Sequence, residues 1–233
     1  MTDLAQFEWL SFDCYGTLID WESGILGYLR PLLLRNGCAI GDAQVLNFYS
    51  EFEPSAQSGE YRTYREVMAS VARNFGRELN FEVTDEDAAG LAESIANWEP
   101  FPDTVPALRQ LRSRYKLAIL SNIDDDLFAG TAAKLQVPFD SVVTAQQVRS
   151  YKPSIQNFET LLKRTAAPRE RLLHVAESLY HDVEPAKSLG IATVWVNRRE
   201  GRTAAASKLA AVRPDIEVRD LAELAEMTAA QYC

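Results

Sequence analysis

The stretch Phe12-Asp13-Cys14-Tyr15-Gly16-Thr17-Leu18 decides how the chain reads. It continues Trp9-Leu10-Ser11-Phe12, a short apolar run that reads as a buried strand and carries one carboxylate, Asp13, to its C-terminal tip. In open α/β sheets, ligands bind in the crevice beyond the strand tips, so this placement predicts an acid on the floor of a site. Gly16 lets the backbone turn at little steric cost. The amides of such a turn can form an anion-binding nest, and the Thr17 hydroxyl can hold the carboxylate in one rotamer. The arrangement suits a nucleophilic aspartate and covalent catalysis. An acid that merely caps the next helix is the plainer alternative.

Working outward, the pattern turns helical and stays so as far as Trp98. Trp21 to Arg35 places Ile25, Leu26, Leu29, Leu32 and Leu33 at helical spacing. Asp42 can cap a second helix through Tyr49, Tyr61 to Phe75 repeats an apolar stripe, and Thr84-Asp85-Glu86-Asp87 opens a fourth helix that runs to Trp98. Two prolines in Glu99-Pro100-Phe101-Pro102 then favour an extended connector. After Asp103, strands alternate with helices. The strands are Leu117 to Leu120, Ser141 to Thr144, Leu172 to Ala176, Ala192 to Val196 and Ile216 to Val218. The helices are Val105 to Tyr115, Asp125 to Leu135, Ser154 to Thr165 and Asp182 to Leu189. This alternation predicts an α/β protein with a Rossmann-like, doubly wound parallel sheet. Its core comprises residues 1–20 and 99–233, interrupted by a helical insertion over 21–98. Thr203-Ala204-Ala205-Ala206 reads as a surface turn or short helix.

Composition narrows the function. With 47% apolar residues, 233 residues can bury a large core. A net charge of −9 without a basic run argues against nucleic acid and anionic membranes as partners. Cys14, Cys38 and Cys233 are widely spaced and odd in number, which gives neither a disulfide framework nor a metal-ligand cluster. No apolar run is long enough to span a bilayer and no signal-peptide pattern opens the chain, so a cytoplasmic location is expected. A homodimer is compatible with the sequence.

Four stretches in order, Asp13-Cys14-Tyr15-Gly16-Thr17, Leu117 to Asn122, Tyr151-Lys152-Pro153 and Leu172 to Asp182, resemble the motifs of the haloacid dehalogenase superfamily. The resemblance implies that the helical insertion is a cap over the active site and that Asp13 is the nucleophile. It also implies that Lys152 keeps Asp13 ionised and oriented. Ser121 and Asn122, at the end of the second parallel strand, would bind a substrate carboxylate or phosphate through hydroxyl and amide. A serine triad is unsupported, because neither His174 nor His181 has a nucleophile elbow to serve. His174 reads as a structural histidine, and Cys14 would face away from Asp13 on an extended strand.

Position 15 bears on reaction type. Phosphatases of the superfamily place a second aspartate there to protonate the leaving alkoxide, whereas a halide needs no proton. Tyr15 cannot readily act as that acid, since a phenol ordinarily titrates near pH ~10. The tyrosine form resembles the type II 2-haloacid dehalogenases and implies a small 2-halocarboxylate substrate, an aspartyl ester hydrolysed by water, and no cofactor. Tyr15 and Trp21 are then candidate substrate contacts. Two positions depart from that branch. The stretch Asn47 to Pro54 lacks the cap arginine that cradles halide, and Phe158 stands where a tyrosine is expected. Arg62, Arg65, Trp21 and Tyr28 are candidates to replace the cradle. The fourth motif, Glu177 to Asp182, has the acid spacing of magnesium-dependent members, where Asp13, Glu177 and the Tyr15 carbonyl could share a metal. In the dehalogenase branch Asp182 instead orients Lys152 and activates water. A magnesium-dependent phosphomonoesterase, a hydrolase of another activated carbon–heteroatom bond in a small acid, and a catalytically idle scaffold are the alternatives.

Overall fold

A computed structural model describes residues 3–198 and 212–230; Thr203-Ala206 and Cys233 lie outside the described residues. Six strands form one sheet in the order β3-β2-β1-β4-β5-β6, every neighbouring pair parallel. They are β1 (Trp9–Phe12), β2 (Lys116–Ser121), β3 (Ser141–Thr144), β4 (Leu172–Ala176), β5 (Ala192–Val196) and β6 (Ile216–Val218). In β1 every residue is buried, because helices cover both faces of a parallel sheet. Leu10 lies in register with Leu117 on one side and Leu173 on the other. The chain first builds outward from β1 through β2 to β3, then returns to place β4 on the opposite side. Asp13 follows the strand at which this order reverses, where such sheets open a crevice.

The insertion is helical throughout its described length: α1 (Trp21–Arg35), α2 (Asp42–Gln57), α3 (Tyr64–Leu79), α4 (Asp85–Glu93), then a 3-10 turn at Ser94–Asn97. Two expectations need correction. Helix α2 continues past Tyr49 to Gln57 with Pro54 inside it, and its N-cap is Gly41 rather than Asp42. Helix α3 begins after Thr63, which forms a reciprocal capping box with Glu66. Val67, Met68, Val71 and Phe75 of α3 are fully buried, and Phe75 meets the rings of Phe48 and Phe52 edge-on. The block is joined to the sheet layer at the start of α3. There the buried Asp124 carboxylate accepts from the Tyr64 and Arg65 amides at 2.9 and 3.0 Å.

The remaining helices are α5 (Thr104–Arg112), α6 (Asp125–Leu135), α7 (Ala145–Val148), α8 (Ile155–Thr165), α9 (Glu184–Ser188) and α10 (Leu221–Ala230). The helix expected from Asp182 is a π turn at Leu179–Val183 running into α9. Among the described residues no helix is long and apolar enough to cross a membrane.

Candidate active site

The tips of β1, β2 and β4 bring the predicted residues together around one ammonium group. Lys152 Nζ donates to Asp13 Oδ1 at 2.8 Å, to Asp182 Oδ1 at 2.6 Å and to the Leu120 carbonyl at 3.0 Å. Its three donors are thereby used, and the side chain is 2% exposed. Thr17 Oγ1 donates to the other Asp13 oxygen at 2.8 Å and accepts from the Glu177 amide at 2.9 Å. Asp13 is therefore fixed through both oxygens, one by a charge and one by a hydroxyl that the β4 loop orients. Behind Lys152, Asp182 Oδ1 also meets His174 Nε2 at 3.0 Å, and His174 Nδ1 pairs with the Ser11 hydroxyl at 2.8 Å.

Two acids sharing one ammonium in a buried site do not titrate alike. Burial raises the Asp13 carboxyl above the ordinary carboxylate value of 3.8, and the Asp182 charge adds to the rise; Lys152 and Thr17 only partly offset it. Burial would raise Asp182 as well, but Lys152 and His174 together hold it below that value. Burial disfavours the Lys152 ammonium, yet the two carboxylates outweigh it and keep Lys152 charged.

Several predicted contacts are placed elsewhere. Asn122 commits its side-chain amide to the backbone of Lys152: Nδ2 donates to the Lys152 carbonyl at 3.1 Å, and Oδ1 accepts from the Lys152 amide at 2.7 Å. It clamps the lysine loop with its carbonyl oxygen and one of its two N–H donors. The Tyr15 hydroxyl turns to Thr131 on α6 at 2.8 Å, and its ring meets Trp98 edge-on, so its polar end is taken by protein. The Gly16 amide bonds to the Ile19 carbonyl at 2.9 Å, which removes it from an anion nest. Gly16 itself has φ +100°, where a side chain would be strained, and a Cβ there would lie 3.2 Å from Trp21 Nε1. Trp21 thus lies against the loop that follows Asp13. Cys14 is buried in the hydrophobic core.

Apart from Trp21, the halide-cradle candidates on the helical block are engaged elsewhere. Arg62 bonds to the Ala56 carbonyl and to Ser70, Arg65 pairs with Asp126 at 2.6 Å, and the Tyr28 hydroxyl donates to the Asp87 carbonyl. Phe158 is fully buried with its ring on His174. Ser121 Oγ and Asp182 Oδ2 are buried polar atoms without a partner, so each retains bonding capacity inside the site. Two open clefts of about 490 and 460 Å³ are lined only by residues of the helical block, away from Asp13 and Lys152.

For magnesium the donor set is thin. Among the described residues no three His, Cys, Asp or Glu side chains gather as a metal-holding group. Glu177 reaches Gly16, with Oε2 3.8 Å from the position of an added Cβ, which leaves Asp13 and Glu177 as the acids at the loop.

His174, expected only as structural, bonds to Asp182 in the turn that follows its own strand and, because β4 pairs with β1, also meets the Ser11 hydroxyl. A family model for haloacid dehalogenase-like hydrolases matches residues 8–190. The chain is 27% identical over 226 residues to (S)-2-haloacid dehalogenase H-109 of Pseudomonas putida, covering 96% of this chain and 98% of that protein. It is 29% identical over 159 residues to a glyceraldehyde 3-phosphate phosphatase of Methanothermobacter thermautotrophicus, covering 62% and 70%. Its fold matches the L-2-haloacid dehalogenase of Xanthobacter autotrophicus with a TM-score of 0.79 at 22% identity, over 96% of this chain and 98% of that one. With an acid at the tip of β1, a lysine paired to it and a family match over most of its length, the chain belongs to the haloacid dehalogenase-like hydrolases.

Proposed function

We propose that the protein hydrolyses the carbon–halogen bond of a small 2-halocarboxylate through a covalent aspartyl ester. One observation carries this reading: Asp13 is held by Lys152 and Thr17, while position 15 supplies a tyrosine bonded to Thr131 instead of an acid that could protonate an alkoxide. In the first step an Asp13 oxygen attacks C2, and the halide leaves with the bonding electron pair. In the second, water attacks the Asp13 carboxyl carbon of the ester, releasing the 2-hydroxy acid and restoring the carboxylate. Asp182 Oδ2 and the Ser121 hydroxyl are unpartnered, which supports a role for the first in accepting from that water and for the second in donating to the substrate carboxylate. Lys152 offsets negative charge in both steps. The helical block, residues 21–98, serves as the cap.

The test is a single turnover in ¹⁸O-water with enzyme in excess over 2-chloropropionate. The label should appear on the Asp13 carboxylate, and Asp13→Asn should release no halide while remaining folded. Label in the lactate alone would rule out the ester.

The phosphatase relative favours a second reading, a magnesium-dependent phosphomonoesterase. Phosphate release that depends on magnesium and vanishes with a chelator or in Glu177→Gln would promote it; halide release that survives the chelator would remove it.

A further inference from the structure

Helix α2 carries Tyr49, Glu53 and Gln57 at four-residue spacing, hence on one face. Tyr49 and Tyr64 share a hydrogen bond through their hydroxyls at 3.0 Å. Tyr64 OH donates to Glu53 Oε1 at 3.1 Å, and Gln57 Nε2 donates to the same oxygen at 2.8 Å. Both ends of this cluster pack on residues that border the Asp13 and Lys152 loops. The Tyr49 ring packs on Trp21 at 5.4 Å, and Trp21 lies against Gly16 of the nucleophile loop. The Tyr64 ring stands 6.4 Å from Tyr151, the neighbour of Lys152. The Glu53 charge is felt at both Tyr49 and Tyr151.

The chemistry of the cluster is that of an acceptor. Helix α2 contains no lysine or arginine. Among the described residues no cation pairs with Glu53, and both bonds made to its carboxylate land on Oε1. We propose that Glu53 is a specificity-determining residue, whose carboxylate receives an ammonium or hydroxyl group on C3 of the substrate acid and disfavours a second carboxylate there. The assignment rests on the reading above only for the kind of acid bound.

Burial pushes the Glu53 carboxyl up to about 7, with Tyr64 and Gln57 pulling it partway back. The groups facing it are Tyr49 and Gln57 of α2, Tyr64 of α3 and Tyr151 of the lysine loop; none is cationic. Preference for an ammonium group should therefore strengthen as pH rises through about 7, when Glu53 ionises.

The experiment measures calorimetric binding of four 2-hydroxy acids: isoserine, glycerate, lactate and malate. They differ only at C3, bearing respectively ammonium, hydroxyl, hydrogen and carboxylate. Wild-type protein should bind isoserine roughly ten- to a hundredfold tighter than lactate, with malate weakest, because a hydrogen bond to a charged group is at stake. Glu53→Gln should compress that ranking to within a few-fold and abolish its pH dependence. A wild-type ranking that is flat or reversed, including failure to bind any of the four, overturns the proposal whether or not the variant folds. Halide release from the matching 2-chloro acids is scored separately. Ranked binding without halide release overturns the dehalogenase reading and keeps this one; halide release with flat binding does the reverse.

Discussion

The cluster at the tip of β1 is buried and Glu53 in the cluster on α2 is half-buried, and the two are bonded in opposite ways. Around Lys152 nearly every donor and acceptor is used: the ammonium has three acceptors, and each Asp13 oxygen has its own donor. Around Glu53 the bonds crowd onto one oxygen. A carboxylate that must keep one orientation gains from having both oxygens bonded, while Ser121 Oγ and Asp182 Oδ2 keep their own bonding capacity. A site that must discriminate gains from a spare acceptor. The clusters should therefore fail differently when changed. Damage at Lys152 should cost both stability and turnover, whereas damage at Glu53 should change which acid is preferred.

Lys152→Met is the strongest test of that contrast. It leaves Asp13 and Asp182 buried beside each other without a counterion, a loss of about 3–5 kcal/mol for a broken buried pair. Both carboxyls should then titrate above their unfolded values, so their neutral forms are favoured in the folded state. The sign follows: the deficit is largest at neutral pH and shrinks as pH falls toward the carboxylate range. Denaturant unfolding of variant and wild type at pH 5 and pH 8 measures it. Halide release should fall by at least about a thousandfold. A variant as stable as wild type at both pH values would mean that the ammonium is not what holds the two acids.

Much of this arrangement was legible before any coordinates, and the rest was hidden for physical reasons. Strands β3 to β6 begin and end where the apolar, β-branched runs do, most plainly β4, whose every residue is buried. Asp13, Thr17, Lys152 and Asp182 were readable because each follows a strand or precedes a helix at a motif position. Helix α2 was read too short because it continues through Pro54, an interior proline that the rest of the packing tolerates. Helix α10 was not foreseen, since small residues such as Ala222, Ala225, Ala229 and Ala230 blur its stripe. The Asn122 clamp and the Ser11–His174 bond join elements far apart in sequence, and no local spacing encodes them.

The seam between the two regions offers a test of intermediate size. Asp124 is 1% exposed and receives two amides at the start of α3, the helix that presents Tyr64 to Glu53. Asp124→Ala removes a cap across the seam, for which about 1–2 kcal/mol is expected. If the two clusters cooperate only through this seam, KM should rise several-fold while kcat stays within about twofold, because Lys152 and Asp13 are untouched. A fall in kcat with KM unchanged would place the effect of Asp124 in the chemistry of the first cluster.

The smallest effect is expected at Tyr15, where sequence and structure give different roles to one hydroxyl. The sequence offered it as a substrate contact, but its oxygen is 2.8 Å from Thr131 Oγ1, a buried group on α6, and its ring is wedged against Trp98. Tyr15→Phe keeps the ring and its packing and removes one neutral hydrogen bond, leaving the Thr131 hydroxyl short of that partner. Such a loss is worth about 0.5–1.5 kcal/mol of stability. Turnover should change little, less than about fivefold in kcat/KM, because the hydroxyl belongs to the wall of the site and does not face the reacting carbon. The paired measurement is denaturant unfolding beside kcat/KM on 2-chloropropionate. A stability loss in that range with turnover preserved makes Tyr15 a positioning residue that locks the nucleophile loop to α6. A hundredfold fall in kcat/KM with stability unchanged would return it to the substrate, and the hydroxyl would have to leave Thr131 when substrate binds.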